Sequence, residues 1–302
     1  MTAVGLIVLT SLGMTGCSAD RSAEADRLRP MVQALPGVTS ANVNYVNDFE
    51  NGANLEISLN MTHASIVEIR EAVVSIVEAE GSRFDDHRLE TAIAVADRST
   101  VEYGGYGKHL DAEEVAADAT AIRALESRVS AETIEWHHFD DHASLELWES
   151  NDSDADLQAL VETVVSPSSH VYVRPNARQP QNAWDVDLPL TLEQVATAAA
   201  LRDRLAMPVY QVDMRDGHIS GLDVNLGDIA VANEKARAVV AAVAPTQSRP
   251  LTVTWRLIGD KPRENGRFAA CSPTGGLPTA PPARDVASLE GLFAQRFPGC
   301  PG

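Results

Sequence analysis

Three return strands constrain this chain more than any other feature. Leu55-Glu-Ile-Ser-Leu59, Leu145-Glu-Leu147 and Leu222-Asp-Val-Asn-Leu226 all alternate apolar with polar side chains, and their starts lie 90 and 77 residues apart. Each occupies the same place in a recurring order of helix, strand, turn, strand, helix, strand. A strand with one apolar and one polar face must bury the first and solvate the second. The order therefore predicts an α+β fold of three tandem helix-strand-strand-helix-strand units, with mainly antiparallel sheets and helices on one face.

Local signals place the elements. In the first unit a helix carrying Leu28, Met31, Val32 and Leu35 stops at Pro36-Gly37. Val43 and Tyr45 start a hairpin, Asn51-Gly52 supplies its turn, and Leu55, Ile57 and Leu59 return. Ser65 and Glu68 have capping-box spacing ahead of a helix bearing Ile66, Ile69, Val73 and Ile76, and a strand near Leu89 to Val95 closes the unit. The second unit repeats this with Val115, Ile122 and Leu125, the strands of Ile134 and Leu145, a helix of Leu157 and Leu160, and a strand from His170 to Arg174. In the third, Thr191 and Gln194 cap a helix, Asp216-Gly217 turns a hairpin, and Leu251 to Leu257 closes the unit. The expected boundaries are 17–98, 109–174 and 190–259 for the units, with 99–108 and 175–189 as linkers and 260–302 as a Pro/Gly-rich tail. Sheet packing explains two of the four tryptophans, whereas Trp184, in the second linker, reads as an exposed contact. This element order is similar to that of the BON domain, a small envelope module linked with membrane-surface association; the likeness is one of topology and assigns no residue a role.

Residues 1–16 are almost free of charge up to Asp20 and too short to span a hydrocarbon core of about 30 Å, so they read as an export signal peptide. Met14-Thr15-Gly16-Cys17 resembles the lipobox of bacterial lipoproteins. The resemblance implies cleavage before Cys17, acylation of its sulfur and attachment to the outer face of the cell membrane; a signal anchor or a buried first helix is the competing reading. Cys271 and Cys300 then remain, and in an oxidising envelope they can pair, stabilising the tail by about 3 to 4 kcal/mol.

Chemistry is sparser. Asp and Glu outnumber Lys and Arg by 43 to 24, a net charge of −19, which repels nucleic acid and anionic headgroups. His137, His138, Asp140, Asp141 and His142 concentrate metal-type ligands at one hairpin, but alternation sends His137 and His138 to opposite faces. The metal candidates are therefore His138, Asp140 and His142. Asp152, Asp154 and Asp156 imitate the start of a calcium loop, yet Leu157 and Thr163 stand where Gly and a bidentate Glu are needed, and N-capping and the helix dipole explain Ser153 and Asp156 at a helix start. Gly104-Gly-Tyr-Gly-Lys108 lacks the spacing of a phosphate cradle. No nucleophile elbow or zincin motif occurs, and no cofactor is implied. The sequence thus points away from an enzyme and toward a lipid-anchored envelope protein that binds another protein or an envelope polymer. The alternative is a metal-dependent hydrolase built on the His137–His142 cluster.

Overall fold

A computed structural model describes residues 20–48, 52–139, 142–163, 169–178, 180–257, 265–272 and 285–297. Twelve strands form one continuous sheet in chain order: β1 (Ser40–Asp48), β2 (Gly52–Asn60), β3 (Arg88–Ala96), β4 (Ser99–Tyr106), β5 (Thr133–His138), β6 (Ala143–Ser150), β7 (Ser169–Pro175), β8 (Ala183–Asp187), β9 (Val209–Arg215), β10 (His218–Gly227), β11 (Leu251–Leu257) and β12 (Asn265–Ala270). Pairing alternates strictly. Six hairpin pairs are antiparallel, and the five steps between them are parallel. A parallel step cannot be closed by a tight turn and needs a crossover. The helices supply it: α2 (Ile66–Glu80), α3 (Ala112–Glu126), α4 (Ser153–Thr163), α5 (Leu192–Arg204) and α6 (Ile229–Val243) each join two hairpins, α1 (Ser22–Gln33) precedes the first, and α7 (Val286–Arg296) follows the last. The chain is thus six helix-strand-strand modules, each about forty residues long, followed by a helix.

This corrects the expected organisation. The fold is mixed α and β with helices over an antiparallel-rich sheet, but it is one sheet with parallel joints rather than separate antiparallel sheets. The segment 99–108 is not a linker but largely β4, 175–189 contains β8, and the tail 260–302 contains β12 as well as α7, the helical stretch its sequence predicts from about Asp285 to Phe297. Each missed strand adds a second hairpin to the pattern, so helix-strand-strand-helix-strand becomes two modules. β4 was obscured by Gly104 and Gly105, but Val101 and Tyr103 are buried and carry the alternation. Gly104 has a specific need: a Cβ there would approach the Phe139 ring to 3.0 Å.

Side chains paired across strands share a face, and the register carries one apolar row across the sheet. It runs through Leu55, Leu89, Ile93, Val101, Trp136, Leu145, Val171, Val186, Met214, Val212, Leu222, Val253 and Phe268. All are buried in one cluster with helix residues such as Val32, Ile69, Val115, Leu160, Val195, Val239 and Phe293. Neighbouring helices pack on one another from α1 through α5, and α6 packs on α7. The capping boxes foreseen at Ser65/Glu68 and Thr191/Gln194 are both formed. Among the described residues no helix is long and apolar enough to cross a membrane.

Trp184 is likewise corrected. It lies on β8 and is fully buried; its Nε1 donates to Asp154 Oδ1 at 2.9 Å, and the Arg202 guanidinium lies 5.6 Å from its ring centre. Arg202, itself buried, donates to both Asp154 oxygens at 2.7 Å. Asp154 therefore joins α4, α5 and β8.

Truncating a fully buried row residue should leave a cavity. Ile93→Ala is expected to cost about 2 to 5 kcal/mol in urea denaturation. Thr100→Ala, on the opposite face, should stay within about 0.5 kcal/mol of the parent. Equal losses from the two would show that the sheet does not have one sealed side.

Candidate functional site

Strand β5 divides its two histidines between the faces. His138 turns toward the helices and His137 toward the uncovered side, as alternation requires.

On the helix side, His138 sits at the end of β5 beside Tyr103 of the parallel strand β4, under the first two turns of α3. Its ring stacks on Tyr103, with centres 4.8 Å apart and planes 14° from parallel, and Trp136 lies 5.2 Å away on another side. Tyr103 donates its hydroxyl to Asp118 Oδ2 at 2.6 Å. Burial, and then the negative charge of Asp118, push the Tyr103 pKa far up, so the phenol stays protonated and remains a donor. The same carboxylate oxygen lies 3.0 Å from His138 Nε2, and Glu114 Oε1 lies 3.7 Å from Nδ1. Glu114, Asp118 and His138 form the one group of three close metal-type ligands among the described residues.

The sequence-predicted set fares differently. His138 is in this group, His142 is exposed at the hairpin turn and does not join it, and Asp140 lies outside the described residues. Glu114 and Asp118 were not foreseen. Their i, i+4 spacing puts two carboxylates on one helix face, but only the β4–β5 pairing brings that face over His138. The calcium-loop imitation dissolves. Asp152 Oδ1 accepts from Ala155 N–H at 3.1 Å, Asp154 holds Arg202 and Trp184, and Asp156 is buried and accepts from Ser130 N–H and Oγ–H at 2.7 and 3.0 Å.

The uncovered face is polar from β1 to β12 and rich in acid. Glu56 faces Glu90, Glu135 faces Glu146, and Asp185 faces Asp213 in register. Like charges placed directly opposite each other are destabilising. Cations and donors interleave to offset them. Arg88 Nε lies 2.6 Å from Glu90, His137 Nδ1 lies 2.9 Å from Glu102, Arg215 contacts Asp185 and Asp187 at 2.6 and 3.1 Å, and Arg256 pairs with Asp223. The Glu102 contact raises the His137 pKa. His170 lies 3.0 Å from Asp185 and 2.6 Å from Asp187, and these two carboxylates raise its pKa although burial opposes them. Burial alone would raise Asp185, but His170 and Arg215 outweigh it and its pKa falls. Within this face a groove of about 220 Å³ is lined by Glu56, Arg88, Glu90, Glu102 and Phe139 among others. Phe139 lies over Gly104 and stacks on His137, 5.8 Å between centres.

A second crevice, about 340 Å³, opens between α5 and α6 and is lined by Ala198, Leu201, Met214, Ile219 and Val243, with Gln194 and His218. Its titratable lining groups are Glu193, His218 and Arg249.

No family model matches the chain, and no curated protein matches it. A solved structure described as the crystal structure of the sex pheromone staph-cAM373 precursor is similar at 13% identity over 51% of this chain and 73% of that one. The TM-score is 0.16, too low to bear on fold or function.

The His170 environment makes a pH-dependent contribution with a definite sign. A histidine whose pKa is raised by folding stabilises fully below its unfolded value of about 6.5, and that stabilisation is lost as pH rises through the folded value. The gap in urea midpoint between the parent and His170→Asn should therefore be widest at pH 5.5 and close by pH 9. A gap of constant size would show that the two aspartates do not hold the imidazolium.

Proposed function

We propose that this chain is an exported, lipid-anchored protein of the cell envelope, held on the extracytoplasmic face of the membrane, and that it is a binding or accessory module rather than an enzyme. The observation that carries this reading is the continuous, uncovered, acid-rich sheet face. Opposed carboxylates cost stability, and a face that keeps them across several strands is suited to a cationic partner, an envelope protein or polymer, that would relieve the repulsion on contact. The groove of Glu56, Glu90, Glu102 and Phe139 offers a lysine or arginine side chain carboxylates for its charge and a ring for its stem or cation, in exchange for Arg88 and His137, which pair with Glu90 and Glu102 in the free protein. In this reading the modules act in pairs as three units, and both His137 and His170 belong to the middle one.

The anchor reading rests on the Gly16-Cys17 junction and on where the folded body begins. Arg21 N–H donates to the Tyr45 hydroxyl at 2.9 Å, fastening the chain to β1 a few residues beyond Cys17. A lipid on Cys17 would therefore hold the sheet close to the bilayer on a short tether. The pairing of Cys271 with Cys300 also belongs to this proposal. Phe268 and Phe297, each three residues before one of these cysteines, stack with ring centres 4.6 Å apart, so packing brings the two chain segments together.

Two experiments test these readings. A photoreactive residue placed at Ser58 or Thr254 on the open face should give a discrete adduct in native envelopes. The same residue at Val74, exposed on α2, should not, and Glu90→Lys with Glu102→Lys should abolish the adduct. No adduct, or an equal one from Val74, would refute the binding face. For the anchor, the intact mass of the mature chain should carry acyl groups beginning at Cys17 and the mass of a closed disulfide, and Cys17→Ala should move the protein out of the membrane fraction. Retention of residues 1–16 without fatty acid rules the anchor out.

A further inference from the structure

We propose that Glu114, Asp118 and His138 form a binding site for one divalent transition-metal ion of the zinc class, with Tyr103 as the outer residue that orients Asp118. The site is independent of the binding-face reading, because it lies on the opposite, helix-covered side of β5.

The contact between His138 and Asp118 carries the argument. His138 is 9% exposed, its Nε2 is shielded from solvent, and that nitrogen makes no hydrogen bond even though Asp118 Oδ2 lies only 3.0 Å away. The oxygen is close but off the direction along which a ring N–H points, so the two atoms sit side by side rather than head-on. An ion seated on the lone pair of this nitrogen would lie within reach of that oxygen. Tetrahedral zinc with bonds of about 2.0 to 2.1 Å sets neighbouring ligand atoms about 3.3 Å apart. A buried imidazole nitrogen left without a hydrogen bond is costly, and an ion in front of it removes that cost.

The remaining donors suit the same ion. The ligand atoms of Glu114, Asp118 and His138 all lie within 4.8 Å of one another, and one imidazole with two carboxylates is a borderline set that zinc accepts. Glu114 Oε1 now lies nearest Nδ1, 3.7 Å away, and its half-exposed side chain has room to swing toward an ion at Nε2. Rigidity comes from the surroundings. Tyr103 stacks on the His138 ring and fixes its plane, while the hydroxyl of the same tyrosine, kept protonated by burial, pins the Asp118 carboxylate. A metal ligand held by a hydrogen bond from a second residue is the usual outer arrangement, and its loss typically costs 10- to 100-fold in affinity. Three protein ligands leave a fourth position for water. The location fits as well, at the carboxyl end of the parallel pair β4–β5 beneath the start of the helix that joins them.

Zinc ion alone is the probe. The purified full chain, stripped with chelator and titrated with zinc in a calorimeter, should bind one equivalent. His138→Ala and Asp118→Asn should abolish binding, and Tyr103→Phe should weaken it by about 10- to 100-fold. Asp118 and His138 are partly structural, so Glu114→Gln provides the variant that keeps the fold: its thermal melt without metal should match the parent while its zinc affinity falls at least tenfold. His142→Ala should bind as the parent does. Failure of the parent to retain zinc, or loss of binding in His142→Ala with Glu114→Gln unaffected, overturns the assignment.

Discussion

The structure depends on one constraint, the strict alternation of antiparallel and parallel pairing along a sheet built in chain order. Every hairpin can be closed by a short turn, whereas every parallel step obliges the chain to travel back along the sheet, and a helix is the compact way to do so. The sheet residues on one face and the helix residues from α1 to α7 share a single core cluster, so the crossovers seal that face. Nothing of the kind is required on the other face. The molecule is therefore asymmetric across the thickness of its sheet: one side is an apolar contact layer, and the other is a field of partly shielded charges.

That asymmetry decides the chemistry of adjacent residues. His137 and His138 are neighbours in the chain, yet one shares a solvated carboxylate ladder with Glu102 and the other is packed against Tyr103, Trp136 and Asp118. Similar groups acquire different behaviour from their surroundings. On the open face, carboxylates raise the imidazole pKa values of His137 and His170 through contact. On the helix side, burial dominates, keeps the Tyr103 phenol protonated and leaves the His138 ring locked between aromatic neighbours. Part of the chain's acid stands in opposed pairs such as Glu56–Glu90 and Asp185–Asp213, and Arg88, Arg215 and His170 temper the repulsion without removing it.

Much of the architecture was legible where local signals were strong. The alternation in Leu55 to Leu59 and Leu222 to Leu226 identifies β2 and β10, and the capping residues Ser65, Glu68, Thr191 and Gln194 identify two helix starts. Strands β4, β8 and β12 were hidden because glycine, proline and amide residues in or beside them look like connecting chain. Val101 and Tyr103, Trp184 and Val186, and Phe268 and Ala270 are all buried and kept the two-residue period in view. Missing those strands halved the module count and placed Trp184 outside the core. The same omission concealed the Glu114–Asp118–His138 group, since without β4 there is no reason for the start of α3 to lie above the end of β5.

The sequence by itself determined which side chains face inward along the strands it revealed, where most helices begin, the sign of the surface and the division of His137 from His138. These follow from periods of 2 and 3.6 residues and from capping, which act over a few positions. Only the tertiary structure decided that the strands join into one sheet, that five of the eleven joints are crossovers, and that carboxylates from α3 meet the imidazole of β5. Pairing between strands is a long-range choice set by how the whole apolar row can be covered at once, and no short stretch of chain contains that information.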